Sequence, residues 1–336
     1  MKVFFVWFKT KTRLSIFNRI SGLVPREGIE PSWGYPRTIL SRVRLPVPPP
    51  RLIVTLVTAY FNHLETVLSK GGPSCTVYVV MACIIAVVNQ KGGVGKTTTA
   101  INLGSYLASN GKFVLLVDLD PQSNATSGLG IDSRDLEVGT YEILLGEKSL
   151  RDVIIPTQVE GLKLAPSTQA LAGAAVDLVD MDRREHRLSD ALLEVRNDFD
   201  YIIIDCPPSL GLLTINGLVA VDKVLIPVQA EYYALEGLSQ LLRTIGMVRQ
   251  ALKPELEILG AVLTMYDGRN RLSTDVMAEL HRFFPDRVFK SVIPRNVRLA
   301  EAPSFGRPIM EYDPWSKGAK AYERLAKEIL DLEHSF

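Results

Sequence analysis

The sequence predicts an α/β fold, a doubly wound, mostly parallel sheet flanked by helices, on three observations. From Met81 onward, short apolar runs alternate with amphipathic stretches. The first run leads straight into a glycine-rich loop, Asn89-Gln-Lys-Gly-Gly-Val-Gly-Lys-Thr-Thr-Thr99, followed by a helical pattern. Two later runs end in an aspartate, at Asp118 and Asp205. Strands that alternate with helices pair in parallel, and ligands then gather at the carboxyl ends of those strands.

Taken in order, the first strand is expected over 83–88 and its helix over 97–109. A strand over 113–118 follows, then a helix over 139–146 and a strand over 162–165. The helix 186–196 leads to the strand 201–205, Tyr-Ile-Ile-Ile-Asp, and a further strand at 223–228. The remaining expectations are a helix over 233–251, a strand over 257–264, a helix over 272–283, a strand over 288–293 and a helix over 317–332. The strand runs are short, continuous and rich in Val, Ile and Leu, which suits parallel strands buried on both faces. No internal repeat is apparent.

The chain has 336 residues, of which 47% are hydrophobic, ample for a buried core. Its net charge of +1 hides a split. Residues 1–80 hold eleven Lys/Arg, three Glu, no Asp or Gln, and eight of the twenty prolines; residues 81–336 carry 27 basic and 34 acidic side chains, a net of −7. The stretch REGIEPSWGYPRTILSRVRLPVPPPR holds no helix or central strand, because proline fixes φ and removes a donor. Two readings of 1–80 follow: a basic arm for nucleic-acid or membrane phosphates, or a non-native or disordered extension from an over-extended start. Met81, placed immediately before the first strand, favours the second and makes 81–336 the working domain.

Several classes are excluded. Cys75, Cys83 and Cys206 show no CxxC spacing, and His63, His186, His281 and His334 no metal-ligand spacing. The run Leu52–Phe61 is about half a membrane span, and the opening VFFVWF is shorter than a secretory core, so the chain reads as cytoplasmic. Cys206 lacks a readable base and reads as a small buried residue. Asp182–Arg187 reads as a solvated helix face, and Glu231–Gly237 as helix entry and core packing.

The chemistry begins in the loop. Gly92, Gly93 and Gly95 permit a tight turn whose backbone N–H groups converge on a polyphosphate, aided by the helix dipole behind it. Lys91, Val94 and Thr98 complete this cradle; Lys96 reaches the β- and γ-phosphates, and the Thr97 hydroxyl ligates Mg²⁺. Gln90 stands where such loops usually open on glycine, and Lys91 is an additional lysine. Asp118 and Asp120 leave the sheet beside the loop, and Asp205 is placed to hold Mg²⁺ through a water. A helix N-cap is the alternative role for each aspartate.

KGGVGKTTT, VDLDPQSNATSGLG, YIIIDCPPSLG and IPRNVRLAEAPSFGRPI occur in that order between 81 and 332. Together they resemble the ParA/Soj family of chromosome- and plasmid-partitioning ATPases. The resemblance implies a P-loop NTPase using ATP and Mg²⁺, with Lys91 reaching across an ATP-dependent homodimer into the partner's ATP. It implies that Asp120 orients the attacking water with Asp118 in support, and that Pro294 and Asn296 contact the adenine. It implies slow turnover stimulated by a ParB-like partner, and nucleoid association through non-specific DNA binding at Arg269 and Arg298.

A domain of net −7 is no generic polyanion binder, so a DNA contact must be a local patch. Two contacts per monomer and four per dimer take the log–log salt slope from about −1.8 to about −3.6. Alternatively, Arg298 holds Glu301 and Arg269 is a plain surface residue. A MinD-like membrane-cycling ATPase is a second reading, but it needs a basic amphipathic C-terminal helix, and 317–336 ends acidic; no membrane partner is expected. An ATP-dependent metabolic ligase is a third, and it has no use for Lys91.

Overall fold

Leaving Met81, the chain enters the middle of a sheet as β1 (Cys83–Val87) and turns through the glycine-rich loop into α1 (Lys96–Ser109). This is a computed structural model that describes residues 81–231 and 234–333. The expectations for 1–80, and those for Tyr232 and Tyr233, lie outside the described residues. The path continues through β2 (Val114–Asp118), α2 (Asn124–Gly128), α3 (Thr140–Leu145), α4 (Leu150–Val153), β3 (Ile155–Pro156) and β4 (Leu162–Ala165). It goes on through α5 (Ala174–Asp177), α6 (Arg187–Leu192), β5 (Tyr201–Asp205), α7 (Leu212–Ala220), β6 (Lys223–Gln229), α8 (Ala234–Ala251) and β7 (Glu257–Thr264). Last come α9 (Arg271–Phe283), α10 (Val297–Glu301), α11 (Ile309–Tyr312) and α12 (Lys317–Glu333).

The seven strands lie in the order β3-β4-β2-β5-β1-β6-β7. Every pairing is parallel except β3 with β4. Strand β3 carries Pro156 at an outer edge, where a missing N–H donor costs no ladder bond. From β1 the chain moves outward to β2, returns through β5, and then builds β6 and β7 on the other side. The loop after β1 therefore sits where the winding reverses, the usual ligand crevice of such sheets.

Period-2 alternation decides which residues face which helical layer. Ile84, Ala86, Ile202 and Ile204 join one core with Leu188 and Leu192 of α6, Leu218 of α7 and Leu241 of α8. Ile85, Val87, Leu116 and Ile203 join the other, with Leu103 and Leu107 of α1 and Tyr322, Leu325 and Ile329 of α12. Tyr322 is fully buried and its hydroxyl lies 3.1 Å from Thr99 Oγ1, so α12 is locked to the helix behind the loop. Burying a side chain of that size contributes about 2 kcal/mol.

The expected strand over 288–293 is corrected. Two isolated parallel bridges, Val288 with Ala261 and Pro294 with Tyr266, flank β7 instead. Between them the amides of Lys290 and Ser291 donate to the Glu328 carboxylate of α12, at 2.7 and 2.9 Å, which interrupts the ladder. The helix expected over 186–196 is also shorter, ending at Leu192 and giving way to turns. Among the described residues no helix is long and apolar enough to cross a membrane.

Candidate active site

The loop is built from its glycines. Gly93 and Gly95 have φ of +72° and +87°, left-handed values that side chains with a Cβ resist. Gly95 is also the N-cap of α1 and offers no side-chain cap, so the first-turn amides of that helix stay available to an anion. Side chains outside the loop hold it. Asn89 donates to the Pro227 carbonyl at 2.7 Å and accepts from the Lys91 amide at 3.0 Å. Thr264, at the end of β7, donates to the Val94 carbonyl at 2.8 Å.

The two lysines have different fates. Lys96 is buried and donates to the Lys91 carbonyl at 3.0 Å. Burial lowers its pKa, while the nearby Asp205 and Asp120 carboxylates oppose that. Lys91 instead turns outward to Glu231, Nζ to Oε2 3.0 Å, with the two side chains 34% and 43% exposed. The expectation that Glu231 serves only helix entry and packing is thus corrected. Its other oxygen accepts from Gln229 at 2.6 Å and faces Arg295 at 3.7 Å. Gln90, which stands where such loops usually open on glycine, has its side-chain Oε1 buried and unpartnered.

Strand register brings the acids together. Asp118 pairs in register with Asp205, and Asp205 with Val87, the last residue of β1. Asp205 is completely buried, and neither carboxylate oxygen has a partner at hydrogen-bond geometry. Burial, then the neighbouring Asp118, raises its pKa well above the usual range, only partly offset by the nearby Thr97 hydroxyl. Such an orphaned acid beside Thr97 fits a hydrated cation that keeps several waters and takes few protein ligands. Among the described residues there is no group of three or more His, Cys, Asp or Glu side chains placed to hold a metal ion.

Asp118 is spent differently. Its Oδ1 accepts from the Asp120 amide at 3.1 Å, and its Oδ2 from the Thr126 amide and hydroxyl at 2.8 and 2.7 Å. Burial pushes its pKa up to about 6 against those donors. It braces the loop that carries Asp120. Asp120 lies near the buried Lys96 with one oxygen on the Gln122 amide, and its carbonyl takes the Ser167 hydroxyl at 2.8 Å. Thr126 and Ser167, which join this brace through a 3.0 Å bond, carry no sequence signal of their own.

Pro294 lies beside Tyr266, two residues beyond the Thr264 that holds the loop. It lines an open cavity of about 350 Å³ with Tyr266, Val292, Lys317, Lys320 and Arg324. The Asn296 side-chain Oδ1 caps α10 by accepting from the Arg298 amide at 2.8 Å. Arg269 is 91% exposed and paired with Asp267 at 2.8 Å. Arg298 pairs with Glu301 at 2.9 Å, the alternative foreseen for it, and lies 3.5 Å from Asp313.

A strand, a glycine loop with buried lysine, a helix N-terminus and an orphaned acid on the adjacent strand define a P-loop nucleoside triphosphatase. Comparison with known proteins narrows the class. A family model described as an AAA domain matches residues 82–258. The sporulation initiation inhibitor protein Soj of Bacillus subtilis (strain 168) is 58% identical over 249 residues, 74% of this chain and 98% of that protein. The chromosome partitioning protein ParA of Myxococcus xanthus (strain DK1622) is 53% identical over 247 residues, 74% of this chain and 87% of that protein. A crystal structure of cobyrinic acid a,c-diamide synthase from Mycobacterium smegmatis with bound ATP analogue and magnesium matches with a TM-score of 0.66 at 41% identity, over 76% of this chain and 96% of that one. The chain belongs to the ParA/Soj family of partitioning ATPases.

Proposed function

We propose that the chain is an ATP-dependent dimerising switch that binds DNA non-specifically and drives chromosome or plasmid segregation with a ParB-like partner. The observation that carries this reading is the outward Lys91. One lysine, Lys96, already serves the loop from within, whereas Lys91 stands at the rim in a half-exposed pair that a second molecule can displace. Two ATP molecules brought face to face need cationic compensation, and Lys91 is placed to give it only when both are bound.

Residues 91–98 would hold the ATP phosphates, Thr97 and Asp205 the Mg²⁺, and Pro294 and Asn296 the base. Bound Mg²⁺ supplies charge neutralisation at the β- and γ-oxygens. Asp120 orients water, Asp118 keeps the Asp120 loop in place, and Lys96 spreads developing charge over the phosphate. Turnover in this reading is slow until the partner engages. Arg269 and Arg298 contact DNA phosphates, because exposed ion pairs exchange readily with another anion, and the protein is nucleoid-associated. The membrane-cycling reading is not favoured, since the apolar face of α12 is spent in the core. Nor is the ligase reading favoured, given partitioning relatives at 53–58% identity.

Light scattering with a non-hydrolysable ATP analogue tests the switch. A dimer is expected for the wild type and a monomer for Lys91→Ala. A Lys91→Ala protein that dimerises normally defeats the proposal.

A further inference from the structure

The two arginines assigned to DNA are each engaged by carboxylates of their own chain, whereas three cations of α12 are not. Lys317, Lys320 and Arg324 recur at i, i+3 and i+7, so they share one helix face, and all three are exposed. Their side chains have no carboxylate partner among the described residues, although Lys327, one turn on, is paired with Glu323 at 2.6 Å. All three line the cavity of about 350 Å³ that also holds Tyr266, Val292 and Pro294. In a domain of net −7, three such cations on one helix face are a local concentration of positive charge.

The cavity that the stripe lines adjoins the segments of both arginines. Tyr266 and Pro294 begin the segments that lead to Arg269 and Arg298. The helix of Arg298 packs directly on α12, where a Cβ on Gly318 would lie 2.7 Å from Leu299 Cγ. Seven residues of helix rise about 10 Å. Four successive phosphates of one DNA strand, three steps of about 3.4 Å of axis each, span about the same length. The opposite face of α12, with Ala319, Tyr322, Leu325, Ala326 and Ile329, is buried, so this helix has no apolar face to insert into lipid.

We infer that Lys317, Lys320 and Arg324 form a phosphate-binding stripe for the backbone of duplex DNA, extending the surface of Arg298. The inference rests on the DNA-binding reading above. Its test measures retention of a 60-base-pair duplex of arbitrary sequence across a salt series, with the non-hydrolysable ATP analogue present. The proteins compared are the wild type, Lys320→Gln and Lys317→Gln/Lys320→Gln/Arg324→Gln.

In the dimer, Lys320→Gln is expected to flatten the log–log salt slope by about 1.8, and the triple variant by up to about 5.4. Light scattering is expected to show unchanged nucleotide-dependent dimers for both. Wild-type binding with an unaltered slope in the triple variant overturns the stripe and leaves DNA binding intact. A wild type that retains no DNA overturns the DNA reading, and the stripe with it. Loss of nucleotide-dependent dimers in the variants assigns the cavity to the nucleotide and overturns the stripe. The exposed Trp315 just before α12 makes an anionic-vesicle arm necessary. Wild-type retention on vesicles that the triple variant loses, with DNA retention unaltered, overturns it in favour of lipid.

Discussion

The Lys91 ammonium lies 3.0 Å from the Glu231 carboxylate, at the point where the loop after β1 meets the end of β6. Gln229 and Arg295 hold the other oxygen of Glu231. The rim lysine is therefore parked on its own chain in the monomer, by a pair open enough to water to be worth no more than about 1 kcal/mol. In the proposed switch, such a latch sets a modest threshold for dimerisation.

Glu231→Gln removes the latch and leaves Lys91 free. With one latch removed from each subunit, the dimer is expected to form at up to about thirtyfold lower protein concentration with the non-hydrolysable analogue, the equivalent of about 2 kcal/mol. Sedimentation across a concentration series reads this, and a weaker dimer in the variant contradicts it.

Asp205→Asn removes the orphaned acid from the cation site. In the wild type, Mg²⁺ is expected to tighten ADP binding, and EDTA to abolish that gain. In the variant, calorimetric titrations with Mg²⁺ and with EDTA should coincide. A persistent Mg²⁺ effect places the ion elsewhere.

Asp118→Ala strands three buried donors, the amides of Asp120 and Thr126 and the Thr126 hydroxyl. Unsatisfied buried groups cost about 1–3 kcal/mol each, so a loss of about 3 kcal/mol or more is expected in denaturant unfolding. Thr126→Val leaves both amides on Asp118, strands only the Ser167 amide and should cost about 1 kcal/mol. Equal effects of the two variants contradict the bracing role.

Arg269→Glu/Arg298→Glu reverses two exposed charges far from the core. The double variant is expected to lose DNA retention while its nucleotide-dependent dimer persists by light scattering. Unchanged retention removes both arginines from the interface.

Gly306 has a φ of +62°, and a Cβ on it would lie 2.4 Å from Gly130 Cα, backbone against backbone. Gly306→Ala is expected to destabilise by about 2–4 kcal/mol, combining left-handed strain with overpacking that neither strand of chain can relieve. Thermal unfolding checks it, and a loss below about 1 kcal/mol shows that the loops yield.

The parallel sheet was legible because runs such as Tyr201–Ile204 are apolar on both faces, and the loop because its glycines, Lys96 and Thr97 are contiguous. Short helices escaped notice: α2, α4 and α5 have too few residues to display a period. Strand β3, at two residues, has no pattern at all. Helix α7 was missed for another reason, since Leu212–Ala220 is nearly apolar throughout and buried deeply enough to lose its polar face. Cys206 was read correctly as small and inert; its thiol is fully buried, and that burial pushes its pKa up. The Lys91–Glu231 and Lys290–Glu328 contacts join positions far apart in the chain, which no local spacing reveals.

The interrupted ladder at Lys290 and Ser291 has a further effect. Glu328 takes up two amides that an eighth strand would have offered, and the opposite border of the sheet is a two-residue strand containing Pro156. With neither border inviting a neighbour, two copies have little prospect of growing one continuous sheet, and the hazard of runaway fibres is lowered. In the proposed switch, assembly then falls to the face bearing the phosphate loop, and whether two molecules meet comes under the control of what that loop holds.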